Sequence, residues 1–127
     1  MGTAFADDLR GDANANHLIG GSGNDLLDGR AGDDTLEAGG GIDILAGGAG
    51  NDLFSYANAA PGQMDGDTIT DFQSVAGQNT GDSLVIRSGY TGLVLNNGST
   101  AITYNGVTET LYHPGVTLSL ANDILVV

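Results

Sequence analysis

The sequence predicts an all-β fold, in which a parallel solenoid of very short strands is followed by an antiparallel β flank. Three observations predict it. A large apolar residue recurs every nine positions through residues 2–55. Glycine is abundant (22 residues) and proline scarce (2), a balance unlike collagen or polyproline structure. From residue 82 onward, apolar and β-branched runs alternate with turn signals, and no segment carries a convincing helical period.

The repeat is plainest in its middle. GGSGNDLLD (residues 20–28) returns as GGAGNDLFS (47–55), with the variants GRAGDDTLE (29–37) and AGGGIDILA (38–46) between them. All four keep glycine at the fourth position, Asp at the sixth and a large apolar residue at the eighth. The same frame extends backwards through GDANANHLI (11–19) and GTAFADDLR (2–10), where the glycines thin out. Six units therefore run without insertion, and their eighth column reads Leu9, Leu18, Leu27, Leu36, Leu45, Phe54.

A nine-residue unit divides into a glycine-rich loop of about six residues and a strand of about three. Two units make one coil of roughly 18 residues, with loops on alternate sides, so each unit stacks on the next but one at about 4.8 Å. Eighth-position residues point inward. Positions seven and nine point outward, which suits Asp8, Asp28, Thr35, Glu37 and Ser55. His17, Ile19, Leu26, Ile44 and Leu53 break that polarity, and the expectation is that the downstream segment covers them. Tight corners require positive φ, hence glycine, and bare backbone lets carbonyl oxygens converge on an ion.

The nonapeptide G-G-x-G-x-D-x-U-x of residues 20–55 resembles the calcium-binding repeat of the RTX (repeats-in-toxin) family. The resemblance implies a right-handed parallel β-roll (β-solenoid) over residues 2–55 that folds around calcium. The residues argue for the same ion. Stacked carboxylates repel one another, and a hard cation taking six to eight oxygens relieves that while satisfying carbonyls. Zinc prefers nitrogen or sulfur, and only His17 and His113 offer either, because cysteine is absent.

Stacking assigns the sites. Asp7, Asp25 and Asp43 share one side, and Asn16, Asp34 and Asp52 the other. Calcium is expected between Asp7 and Asp25, Asp25 and Asp43, and Asp34 and Asp52, with a weaker site at Asn16 and Asp34. Loop backbone at Gly20, Ser22, Gly23, Gly29, Ala31, Gly32, Gly40, Gly41, Ala49 and Gly50 supplies the remaining oxygens, for about three to five ions in all. The competing reading is that Asn and Asp at the fifth and sixth positions only make Asx-turns. Asp8, Asp12, Asp28 and Glu37 lie off the sixth column and read as solvated surface charge.

After residue 55 the period stops, and residues 56–127 read as a capping region. Pro61-Gly62 marks a turn. DGDTITDF (residues 65–72) resembles the D-x-I-x-D-F segment that follows the repeats in secreted RTX proteases. Asp65 and Asp67, and Asp71 with them, either cap the last calcium loop or open an acidic strand. Turns are expected at Ser88-Gly89, at residues 96–98 and at His113-Pro114-Gly115; Asn105-Gly106 is a two-residue hairpin signal. Five or six antiparallel strands would cover the open end of the roll, which otherwise leaves apolar and hydrogen-bonding edges bare. Asp123-Ile124-Leu125-Val126-Val127 reads either as a final strand or, by resemblance, as the C-terminus of a type I (ABC-transporter) secretion substrate.

Sixteen acids against three arginines, with no lysine, leave a formal charge of −13. That field disfavours nucleic acid and anionic membrane, and no apolar run approaches a membrane span. The first ten residues carry no Sec-type signal pattern. Neither histidine has a sequence-near partner suggesting a nucleophile and base, so no catalytic residues are expected. The resemblance implies a secreted module that folds on calcium outside the cell and supports export of itself or of a larger exoprotein through the type I apparatus. The alternative is an extracellular carbohydrate-binding or adhesion module similar to alginate epimerase repeat modules, with a polysaccharide as partner.

Overall fold

A computed structural model describes residues 1–56, 58, 63–64, 66–73, 81–86, 90–96, 99–104, 107–114 and 124–126. Each repeat contributes one strand: β1 (Asp8–Arg10), β2 (His17–Ser22), β3 (Leu26–Asp28), β4 (Thr35–Gly40), β5 (Ile44–Ala46) and β6 (Leu53–Tyr56). Six more follow: β7 (Thr68–Ile69), β8 (Ser83–Ile86), β9 (Tyr90–Asn96), β10 (Ser99–Tyr104), β11 (Val107–Tyr112) and β12 (Ile124–Val126). No helix occurs among the described residues.

Successive repeats alternate between two sheets, because each loop carries the chain across the roll. One sheet has the order β1-β3-β5-β7-β11-β10-β9, and the other β12-β8-β6-β4-β2. Eighth-position residues are in parallel register at a spacing of one coil, with Leu9 opposite Leu27, Leu27 opposite Leu45, Leu18 opposite Leu36, and Leu36 opposite Phe54. Leu27, Leu36, Leu45 and Phe54 are fully buried between the sheets, and Leu9 and Leu18 pack against them half-covered. The fourth-position glycines Gly23, Gly32, Gly41 and Gly50 all take positive φ. A Cβ at Gly41 would lie 2.0 Å from the Gly23 carbonyl oxygen, so these loops stack too closely for any side chain there. In the second column Gly21, Gly39 and Gly48 also have positive φ, and Arg30 is forced to the same region at 78°.

The downstream strands depart from the wholly antiparallel flank that the sequence suggests. β7 and β8 extend the two parallel sheets, setting Ile69 opposite Leu45 and Leu84 opposite Phe54. β12 then pairs parallel with β8, and Tyr112 of β11 pairs parallel with Thr68. Among the described strands, antiparallel pairing is confined to β9 with β10 and β10 with β11. The cause lies in two triplets, Asp67-Thr68-Ile69 and Asp82-Ser83-Leu84, which reproduce repeat positions six to eight without a glycine at the fourth. β10 and β11 pair up to Tyr104 opposite Val107, as a two-residue connection requires. Asn105-Gly106 itself and the turns at Pro61-Gly62, Ser88-Gly89, Asn97-Gly98 and Gly115 lie outside the described residues.

Because the later strands add to sheet edges rather than across sheet faces, they do not cover the outward apolar residues. Leu26 remains 36% exposed and Ile44 48%, and His17 stays on the surface 2.7 Å from Glu37. Ile19 and Leu53 are half-buried.

Candidate metal centres on two aspartate ladders

The loops place the sixth-position side chains in two stacks, one on each side of the roll. On the first, the Asp25 Oδ1 accepts the Asp7 N–H at 2.9 Å, and the Asp43 Oδ1 accepts the Asp25 N–H at 2.8 Å. The Asp67 Oδ1 then accepts the Asp43 N–H at 2.8 Å. On the second, Asp34 accepts from Asn16 at 2.7 Å, Asp52 from Asp34 at 2.9 Å and Asp82 from Asp52 at 2.9 Å. Every bond joins neighbouring coils, so these side chains are not making local Asx-turns.

The second carboxylate oxygen separates the inner rungs from the ends. The Oδ2 atoms of Asp25, Asp34, Asp43 and Asp52 are buried with no hydrogen-bond partner. Buried polar atoms are nearly always satisfied, and an unpaired carboxylate oxygen away from water is among the costlier exceptions. At the ends, protein donors take the same atom. Asp7 Oδ2 accepts the Thr3 N–H and hydroxyl, Asp67 Oδ2 the Tyr56 hydroxyl at 2.9 Å, and Asp82 Oδ2 the Gln73 N–H at 2.7 Å. Asn16 turns its Oδ1 to the Asp12 N–H at 2.7 Å.

At Asp25, Asp34 and Asp52 the orphaned atom faces a first-position glycine. A Cβ at Gly20 would sit 2.6 Å from Asp25 Oδ2 and 2.3 Å from the Ala38 carbonyl oxygen of the next coil. At Gly29 it would sit 2.3 Å from Asp34 Oδ2 and 2.6 Å from the Gly47 carbonyl oxygen, and at Gly47 2.3 Å from Asp52 Oδ2. First-position glycine therefore leaves a small cradle beside the carboxylate, bounded at Gly20 and Gly29 by a carbonyl as well. Among the described residues no three His, Cys, Asp or Glu side chains gather at one point, so an ion here takes most of its oxygens from backbone. Such a donor set suits calcium, which accepts many carbonyls in flexible geometry. Burial pushes the Asp34, Asp43 and Asp52 carboxyls above the usual range; it takes Asp82 up to about 6, with Asp52 and Asp71 adding repulsion. A bound cation offsets that penalty.

The other sequence-predicted residues lie in the loop backbone between the ladders. The Gly23 N–H donates to the Gly40 carbonyl at 2.7 Å and the Gly32 N–H to the Ala49 carbonyl at 2.9 Å. Ser22 donates to Thr3 and Ala31 to Asp12, while Gly41 and Gly50 stack on Gly23 and Gly32. Asp65 lies outside the described residues. Asp71 accepts the Gly47 and Gly48 N–H groups at 3.0 and 2.8 Å, whereas the Gly29 N–H of an inner coil goes to the Ala46 carbonyl. Asp82 was not among the sequence candidates. Its signal was the D-x-U triplet, hidden by the longer spacing.

A second ladder runs beside each first one, in the opposite sense. At the fifth position, Asn24 Oδ1 accepts the Ile42 N–H, Asp33 Oδ1 the Asn51 N–H, and Asn51 Oδ1 the Gly81 N–H, each from the following coil. Sixth-position carboxylates accept from the preceding coil instead.

The model of the RTX calcium-binding nonapeptide repeat (4 copies) matches residues 1–36 and 28–57. No curated protein matches the chain. Among solved structures, the AlgE6R3 subunit of the Azotobacter vinelandii mannuronan C5-epimerase is 25% identical with a TM-score of 0.67, over 98% of this chain and 80% of that one. The AlgE6R2 subunit of the same epimerase is 25% identical with a TM-score of 0.66, over 98% and 92%. Residues 1–57 thus carry RTX calcium-binding nonapeptide repeats, and the chain is similar in its parallel β-roll to those epimerase subunits.

Proposed function

We propose that the module is a calcium-triggered folding device of an exported protein. The observation that carries this is the set of four buried, unpartnered Oδ2 atoms at Asp25, Asp34, Asp43 and Asp52. Where calcium is scarce, those buried charges and a formal charge of −13 oppose compaction, and the chain stays extended enough for export. Where calcium is plentiful, binding to the folded state alone stabilises it by about 2.7 kcal/mol per site at a hundredfold excess over Kd. Several sites acting together then decide whether the roll exists at all. Such a switch suits a protein that leaves the cell unfolded through a type I transporter, with residues 123–127 as its export signal, and folds outside. The module's own role is non-catalytic. His17 is paired with Glu37 on the surface, and the carboxylates are accounted for by the ladders.

Circular dichroism tests the switch. The spectrum is expected to move from coil to β on adding millimolar calcium and back with EGTA, and a β spectrum that EGTA leaves unchanged would overturn it. Removing residues 124–127 is expected to stop export in cells carrying the transporter.

The likeness to subunits of a mannuronan epimerase favours a second reading, an accessory module of a polysaccharide-modifying enzyme. Retention on immobilised mannuronan in calcium would support it. Against tight binding of a polyanion stand the chain's charge and the pairing of Arg10 with Asp8.

A further inference from the structure

The nine-residue frame has a seventh first-position residue. The column reads Gly2, Gly11, Gly20, Gly29, Ala38, Gly47 and then Tyr56. In the repeats, this column is where a missing side chain leaves the space beside the sixth-position carboxylate. Tyr56 is the one large side chain placed there. It is buried, it ends β6 on one sheet, and its hydroxyl reaches 2.9 Å from Asp67 Oδ2, at the entry to β7 on the other sheet.

Asp67 occupies the ladder as the inner aspartates do, with its Oδ1 on the Asp43 N–H and its side chain fully buried. The partner of Oδ2 differs. Among the described residues none donates to Oδ2 at Asp25 or Asp43, whereas at Asp67 the phenol does. Ala38, the other exception in the column, carries a methyl that brings no donor, and Asp43 Oδ2 stays unpartnered.

We infer that Tyr56 stands in for a cation: its hydroxyl occupies the seventh cradle and closes the first ladder at Asp67 without metal. This rests on the calcium reading of the inner rungs and removes Asp67 from the ligands that the sequence suggested. Glycine at the first position opens a cradle, and tyrosine fills it. A hydrogen-bonded neutral phenol satisfies one carboxylate oxygen, and because it is covalently part of the chain it does so at any calcium concentration. Burial and the Asp67 charge both push the Tyr56 hydroxyl well above its ordinary pKa, so it remains a donor at all working pH values.

The test is calcium stoichiometry, counted by native mass spectrometry and equilibrium dialysis on the full chain with calcium as the only added ligand. Asp43→Asn is expected to hold one ion fewer than the wild type, and Asp67→Asn the same number as the wild type. Tyr56→Gly, which reopens the cradle, is expected to hold one ion more. Loss of an ion in Asp67→Asn would overturn the inference, as would a folded Tyr56→Gly chain holding no extra ion. If Tyr56→Gly does not fold in saturating calcium, the two asparagine variants decide alone. A wild-type chain that binds no calcium would instead sink the calcium reading itself, an outcome distinct from both.

Discussion

The regular coils and the coil that follows them make the same rungs from different lengths of chain. Within residues 2–55, facing eighth-position residues are one 18-residue coil apart, as with Leu27 and Leu45. Ile69 faces Leu45 after 24 residues, and Leu84 faces Phe54 after 30. Yet Asp67 and Asp82 accept the same ladder N–H bonds as the repeats do, at 2.8 and 2.9 Å. A coil is therefore defined by what it presents to its neighbour, a carboxylate followed by an inward apolar residue, and the loop between can lengthen. What changes with the longer loops is the source of the second donor. The inner rungs at Asp25, Asp34, Asp43 and Asp52 leave Oδ2 open, whereas the chain supplies Thr3 to Asp7 at the first end and Tyr56 and Gln73 to Asp67 and Asp82 at the last.

The sharpest way to break this equivalence is at its seam. Phe54 is fully buried, lies between Leu36 of the repeats and Leu84 of the following coil, and packs its ring 5.7 Å from that of Phe72. Phe54→Ala is expected to cost about 3–5 kcal/mol, measured by denaturant unfolding in saturating calcium. A loss below about 1 kcal/mol would mean that the two parts do not share one core.

A smaller effect distinguishes the carboxylates by pH. Asp34, Asp43, Asp52 and Asp82 all have raised pKa in the fold, Asp82 to about 6. Groups raised on folding contribute stability that is fully present below their unfolded value and lost as pH rises through the folded one. Without calcium, the roll is therefore expected to be more stable near pH 4 than at pH 7, with the loss complete above about 6. Circular dichroism in metal-depleted buffers reads this directly, and a flat profile would mean that the buried charges do not oppose the fold.

The smallest effect lies within the regular coils. Arg30 occupies a second-position site where its three counterparts, Gly21, Gly39 and Gly48, are glycine at similar positive φ. Arg30→Gly is expected to stabilise by about 1 kcal/mol, the usual cost of a non-glycine residue in that region less the added freedom of the unfolded chain. Thermal unfolding in calcium measures it.

Most of the roll was legible in the sequence, because a strict period converts directly into geometry. The column from Leu9 to Phe54 became the core, and the Asp column became the ladders. The outward Leu26 and Ile44 were misjudged as covered, since periodicity says which face a residue takes but not whether another element crosses that face. Asp82 escaped because its spacing is irregular and Thr80 stands where the repeats have their fourth-position glycine, though the triplet with Ser83 and Leu84 carries the pattern. The donors to Asp67 and Asp82 could not be read at all. They depend on where Tyr56 and Gln73 arrive in space, after loops whose length obeys no period.

The two opposed Asx ladders bear on a hazard specific to repetitive chains. Near-identical coils can dock one coil out of step, a misassembly that burial of leucines alone would scarcely penalise. Fifth-position side chains reach forward and sixth-position side chains reach back, so a coil in the wrong berth must find acceptors on both neighbours at once. Ile42 interrupts the forward series on one side, whereas Asp33 and Asn51 carry it through to Gly81 on the other. The irregular residues thus act as registration marks, making each berth chemically distinct along a scaffold whose hydrophobic core is nearly the same throughout.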